Sequence, residues 1–269
     1  MTRREAYEAK ARRRSGLIAG VSTLLVLLAI YFLIPLTPGW ERVRDSFFNW
    51  EVAQRTFPRL LEAFMLNVAI FAWSAPLVAL VGLGVALARG VRAPALFPLR
   101  IFAVFYTDVF RGIPVVLTIY LIGFGIPGLG LPRPWNSPYI WGTVALVLTY
   151  SAYVAEILRS GIESIHPSQR AAAICLGLSE RDAMRYVILP QAVRRVVPAN
   201  MNMFIALQKD VALLSFIGPV EILRQAGVFK SLLANFTPYV VAAAIFLCVT
   251  VPATRYADYL MSKQRHERG

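Results

Sequence analysis

Six apolar runs, at about 17–36, 60–88, 101–126, 139–159, 200–222 and 238–257, constrain this 269-residue chain more than any other feature. A helix rises about 1.5 Å per residue and the hydrocarbon core of a bilayer is about 30 Å thick, so roughly 20 apolar residues cross it. With 57% of its residues hydrophobic and 16% charged, the chain has the bilayer as its main solvent. The expected fold is an all-α membrane protein of about six transmembrane helices. No internal repeat, low-complexity tract or linker to a second soluble domain interrupts it. Basic residues from 3 to 14 ahead of the first run look like a secretory signal. That run exceeds the usual apolar region of about 7 to 15 residues, and no Ala-x-Ala cleavage site follows, so it reads as a retained first span.

The formal charge of +13 is the kind of balance found in phosphate binders. Here no aromatic-studded basic helix or zinc spacing accompanies it, and Lys and Arg gather at the ends of apolar runs, so a nucleic-acid partner is not expected. Positive charge is retained on the cytosolic side during insertion. With the N-terminus inside, 19 Lys and Arg fall in the termini, the turn from Arg89 to Arg100 and the long segment starting at Arg159, against 7 on the other side. Both termini and the long polar segment from Ser160 to Pro198 are therefore assigned to the cytosol. Arg111 and Lys209 sit within spans. Between the runs lie an amphipathic outer loop with Trp40, Phe47, Phe48 and Trp50, a Pro/Gly-rich loop from Pro127 to Pro138, and a loop from Leu223 to Thr237. Two cysteines, Cys175 and Cys248, imply neither a disulfide framework nor a metal cluster.

The stretch His166 to Pro190, HPSQRAAAICLGLSERDAMRYVILP, is punctuated as two helices. Pro167 suits a first turn, Ala171, Ala172 and Ala173 are strong helix formers, and Gly177 followed by Leu178 reads as a helix stop with its hydrophobic contact. Ser179 with Asp182 three residues on is a capping-box-like start for a second helix, which Pro190 is expected to close. His166 reads as a polar residue beside a helix start rather than a proton relay. The first helix, Ser168 to Leu176, is apolar around much of its circumference, which water disfavours. It calls for a partner surface, or else folds back on its own membrane domain or lies in the lipid interface.

This stretch resembles the cytosolic coupling loop of ABC importer permeases, whose signature runs Glu-Ala-Ala, Gly, an aliphatic residue and Leu-Pro at fixed spacing. Ala172, Ala173, Gly177, Val187, Leu189 and Pro190 fall on that pattern. Ala171 stands where the signature has Glu, so no ionic contact is carried over at that position. Further phrases resemble the polar amino acid branch: FRGIPV from Phe110, AYVAEILRSGI from Ala152, and LQKDVALLSFIG from Leu207. The likeness covers about residues 58–260. It implies a five-helix type I ABC importer permease core, preceded by an extra region over 1–57 that holds the first span and followed by a basic tail at 261–269. By that resemblance the coupling loop to the ATPase comprises Ser168, Gln169, Arg170, Ala171, Ala172, Ala173, Leu176, Gly177 and Leu178. The implied partners are an ABC ATPase dimer that holds ATP and Mg²⁺, a second permease subunit (the same chain or a sibling) and an extracytoplasmic amino acid binding protein. The implied location is a bacterial inner membrane.

A Lys, Arg or Asp at the middle of a span costs about 2.5–3.5 kcal/mol on insertion scales, so it should face protein or water. Asp108, Arg111, Lys209, Asp210 and Ser215 are the candidate path residues. Asp108 and Arg111, three apart, can meet on one helix face, whereas Lys209 and Asp210 point to different sides, so one of them needs a partner from another span. These groups either line a translocation path or tie helices together. Glu156 and Arg159 read as a boundary pair leading into the loop. Gly112 with Pro114, and Gly218 with Pro219, either turn carbonyls towards a cavity or simply kink their helices. No Gly-x-x-x-x-Gly-Lys-Ser/Thr phosphate loop occurs, so the chain is not expected to bind ATP, carry a cofactor or act as an enzyme. An ion-gradient-driven amino acid carrier and a purely structural membrane protein are the rival readings. A carrier has no need of a projecting docking element, and a structural protein leaves the intramembrane charges unexplained.

Overall fold

The computed structural model describes residues 3–91 and 93–266, and for residues 3–14, 261 and 263–266 the backbone alone. The remaining residues, and the basic side chains of the N-terminus and most of the tail expected at the cytosolic end, lie outside the described set. No strand occurs among the described residues. Helix α1 (Arg3–Leu33) is followed by the short α2 (Trp40–Phe47) and by α3 (Trp50–Gly90). Then come α4 (Phe97–Gly112), α5 (Val115–Gly125), α6 (Pro138–Glu163), α7 (Pro167–Cys175) and α8 (Glu180–Asp182). A π turn over Ala183–Ile188 carries α8 into α9 (Leu189–Asp210), and a 3-10 stretch over Val211–Ile217 precedes α10 (Ile222–Leu233) and α11 (Thr237–His266).

Four stretches are long and apolar enough to cross a membrane: Ser15–Leu36, Trp40–Gly90, Pro138–Glu163 and Thr237–Leu260. Two more crossings arise if each of two bent helix pairs counts as one span. The expected 101–126 span is one of these. It breaks between α4 and α5 with a bend of 108°. Pro114 drives the residue before it out of helical geometry, and Ile113 accordingly sits extended at φ −95°, ψ 132°. The other bent pair, Glu180–Ile217 with Ile222–Leu233, turns by 51° around Gly218, whose φ of +128° is open to glycine alone at little strain.

Three sequence boundaries move. The expected outer loop is helical: α2 is followed directly by α3, whose first turn is capped by the Asn49 side chain accepting from the Val52 amide at 3.1 Å. Pro190 does not close the second helix of the 166–190 stretch. Its ring would crowd the Tyr186 carbonyl and it offers no N–H, so the chain widens into the π turn and continues as α9, which begins inside the segment expected to stay polar up to Pro198. The expected loop from Leu223 is mostly α10, started by Glu221 accepting from the Leu223 and Arg224 amides.

The main core joins α3, α5, α6, α9 and the 3-10 stretch through Ile70, Val78, Ile119, Leu146, Leu207 and Leu214. α6 lies at its centre. A Cβ built on Gly161 would come within 2.0 Å of Val196 Cγ1, so glycine is what lets α6 and α9 approach. A second cluster of Leu60, Phe64, Ile222, Ala226 and Ile245 ties α10 and α11 to the start of α3. At that end Phe47 stacks on Phe236 with centroids 4.9 Å apart, and the Phe236 amide donates to the Ser46 carbonyl at 2.7 Å. At the opposite end Arg89, Arg100, Arg159, Arg170, Arg181 and Arg185 converge around one cavity.

Candidate functional site

The 166–190 stretch folds as its punctuation predicts at its start and hinge. The His166 ring nitrogen accepts from the Ser168 amide, capping α7 as a helix-start residue does. At its other end the Leu178 amide donates to the Ala173 carbonyl and the Gly177 amide to that of Ile174, with Gly177 at φ +86°. That pair of bonds is the Schellman arrangement, which requires a left-handed residue at Gly177. The Asp182 amide then donates to Ser179 Oγ at 3.2 Å, opening α8. Arg170 on α7 pairs with Glu180 on α8, so the hinge is bridged by an ion pair.

Of the loop residues, Ala173 alone is buried within α7, which packs on the π turn, while Ser168, Gln169, Ala171, Ala172, Leu176 and Gly177 are exposed. Leu178 and Arg170 are half-buried. Leu176 is 84% exposed, and Ile174 beside it is exposed too. One side of α7 therefore folds back on its own chain and the other presents aliphatic surface.

Glu156 on α6 gathers more charge than a boundary pair. Arg159 pairs with it from one turn on, Arg89 reaches it from α3 at 2.7 Å, and Arg111 approaches from α4 at 3.5 Å. Arg89 also donates to Thr107 Oγ1 at 3.0 Å, and Arg159 bridges on to Glu163. Arg111 thus points to Glu156 rather than to Asp108: no ion pair joins Asp108 to Arg111, and Asp108 is exposed. Three helices are held by one carboxylate. The role of Arg89 was hidden in sequence, where it reads as part of a basic turn.

Asp210 has the cross-span partner its position demands, accepting from the Tyr150 hydroxyl of α6 at 2.7 Å. Lys209 is exposed and joins no ion pair among the described residues. Ser215 is buried, and its carbonyl accepts from Arg224 at 3.2 Å. The candidate path residues are therefore dispersed: Arg111 joins the Glu156 cluster, Asp210 joins Tyr150, and Asp108 and Lys209 remain open. Sequence reasoning missed a fully buried pair, in which Asn67 Nδ2 donates to Glu221 Oε2 at 3.0 Å while Asn67 Oδ1 accepts from the Ile222 amide at 3.2 Å. The available signals were a lone Asn in an apolar run and a Glu just after the Gly218–Pro219 break.

Residues 81–266 match the family model described as the binding-protein-dependent transport system inner membrane component. The chain belongs to this family. Among curated members of the binding-protein-dependent permeases, a probable glutamine ABC transporter permease of Bacillus subtilis is 35% identical over 190 residues, covering 69% of this chain and 86% of its own length. An arginine transport system permease of the same organism is 32% identical over 201 residues, covering 73% and 88%. A solved amino acid ABC transporter crystallised with histidines superposes with a TM-score of 0.71 at 32% identity, over 77% of this chain and 94% of that one. The methionine ABC transporter in an inward-facing form, at 18% identity and a TM-score of 0.58, shares the fold. Family membership accounts for the helical, membrane-spanning architecture.

Proposed function

We propose that this chain is the permease subunit of an ATP-driven importer of polar amino acids, with α7 as the surface on which a separate ATPase docks. The carrying observation is the outward side of α7, where Ile174 and Leu176 are exposed on a helix whose other side is locked by Ala173, and whose exit passes the Gly177 hinge before α8 and the π turn lead into α9. A push on α7 thus crosses one hinge, bridged by the Arg170–Glu180 ion pair, and then follows helix towards the membrane. The relatives named for glutamine and arginine transport support the substrate class. In this reading two permeases form the pore, an extracytoplasmic protein delivers the amino acid, ATP and Mg²⁺ stay on the partner, and both termini face the cytosol of a bacterial inner membrane. Asp108 and Lys209, open in this structure, are the groups available to the charged ends of a passing amino acid. Arg111 and Asp210 hold the bundle beside them.

The test is ATP hydrolysis by the chain assembled with its ATPase in nanodiscs, with and without binding protein and amino acid. Ala172→Asp places charge on the exposed side of α7, and Gly177→Pro removes the left-handed hinge, since proline is fixed near φ −65°. Stimulated hydrolysis is expected to collapse in both variants while the assembled wild type responds. Transport that persists in both on an ion gradient, with no ATPase bound, would replace this reading with that of a secondary carrier.

A further inference from the structure

The cavity where the arginines converge has a volume of about 1050 Å³ and lies between the ends of α3, α4, α6 and the α7–α9 connection. Among the described residues six arginines line it against two acids, Glu163 and Glu180. Arg89 and Arg159 are taken up by Glu156 and Glu163, and Arg170 by Glu180. Arg100, Arg181 and Arg185 join no ion pair among the described residues, although Arg185 also lies over the Tyr186 ring at 5.6 Å. Much of the rest of the lining is aliphatic, with Leu83, Leu87, Val104, Ile162 and Val193 among it.

We propose that this cavity binds one anionic phospholipid of the cytosolic leaflet, with its phosphate among Arg100, Arg181 and Arg185 and an acyl chain along the Leu83, Leu87 and Val104 wall. A guanidinium offers a planar set of donors that matches phosphate oxygens, and basic pockets between spans on the cytosolic side suit anionic headgroups. A free inorganic anion would leave the aliphatic wall uncovered. A zwitterionic lipid would bring a cationic group towards unpaired arginines. Ile174 and Leu176 are not part of the lining, so the cavity is distinct from the aliphatic surface proposed for docking. The site requires only that this end of the bundle meets the cytosolic leaflet, and it stands apart from the importer reading.

Native mass spectrometry of the full chain, purified in neutral detergent and offered equal phosphatidylglycerol and phosphatidylcholine, tests the proposal. The wild type is expected to retain one phosphatidylglycerol in preference, and R100Q/R181Q/R185Q to lose that preference by roughly tenfold or more. Val104→Trp keeps every charge but fills the wall, and is expected to lose the lipid as well. It carries the test if the triple variant fails to fold. R42Q/R44Q/R59Q, at the other end, is expected to behave as wild type. Equal retention of both lipids by the wild type, or undiminished phosphatidylglycerol on the folded variants, overturns the site. So does an equal loss in the Arg42 set, which would mark diffuse charge. Unchanged lipid binding with loss of ATPase co-purification in the Arg100 set overturns it too, and assigns the cavity to the protein partner.

Discussion

Helices α1 and α6 are both long enough to cross a bilayer, yet they solve different problems. The span at Ser15–Leu36 has a mean hydropathy of 2.7 and none of it is buried in the chain, whereas Pro138–Glu163 has a mean hydropathy of 1.4 and is 61% buried. The less apolar helix is the central one. Lipid tails are as apolar as leucine, so burial against protein gains little from greasiness, and helices associate through close packing and hydrogen bonds instead. α6 accordingly carries Gly161 against Val196, the Tyr150 hydroxyl for Asp210, Ser151 against the Tyr106 hydroxyl at 2.6 Å, and Glu156 for three arginines. α1 presents Leu24, Leu25 and Leu28 outward, each of them exposed.

The largest expected effect falls on α6. Glu156→Ala leaves Arg89 and Arg111 without their ion-pair partner, and Arg159 with Glu163 alone, around a site where the Arg89 and Glu156 side chains are only 14% and 19% exposed. Removing one partner of a buried ion pair costs about 3–5 kcal/mol, and a comparable loss of unfolding free energy is expected in detergent or nanodiscs. A loss under about 1 kcal/mol would show that water already serves these arginines and that the cluster does not bind the bundle together. Gly161→Val comes next. The added side chain meets Val196 and forces α6 away from α9, with an expected destabilisation of about 1–3 kcal/mol by thermal unfolding. Full stability would mean that the two helices slide freely, and the contrast with α1 would weaken.

What was legible in the sequence divides along the same line. Local chemistry was legible: Gly177 stops α7 and Ser179 opens α8, because each acts on backbone within a few residues, whereas His166 read only as a polar residue beside a helix start. Four of the apolar runs fall in stretches long enough to cross a membrane, since lipid reads composition directly, while the runs at 101–126 and 200–222 fall in bent helix pairs. Tertiary geometry was not legible. Pro114 announced a break, but its 108° depends on where α6 receives α4 and α5. Pro190 announced a stop, yet the π turn and the contacts of Ile188 and Ala192 with Ile165 carried the helix on. Glu221 finds Asn67 across 154 residues, and Glu156 finds Arg89 across 67, so neither pairing has a local spacing to betray it.

The smallest effect is expected on α1, and there a null result is informative. Gly16 and Gly20 have nothing within 4 Å of an added Cβ, and Leu25 is exposed, so Gly20→Val and Leu25→Ala in the isolated chain should shift unfolding by no more than about 0.5 kcal/mol. α1 is tethered rather than packed: its C-terminal end leads into α2, which is held by Phe47 on Phe236 and by Asn235 donating to the Asp45 carbonyl at 2.8 Å. If the same substitutions remain neutral when the chain is assembled with a second permease, α1 is an anchor in lipid. If they are neutral alone but destabilise the assembly, the uncovered helix braces the partner subunit. A large effect in the isolated chain would contradict both and place α1 against its own bundle, removing the contrast with α6.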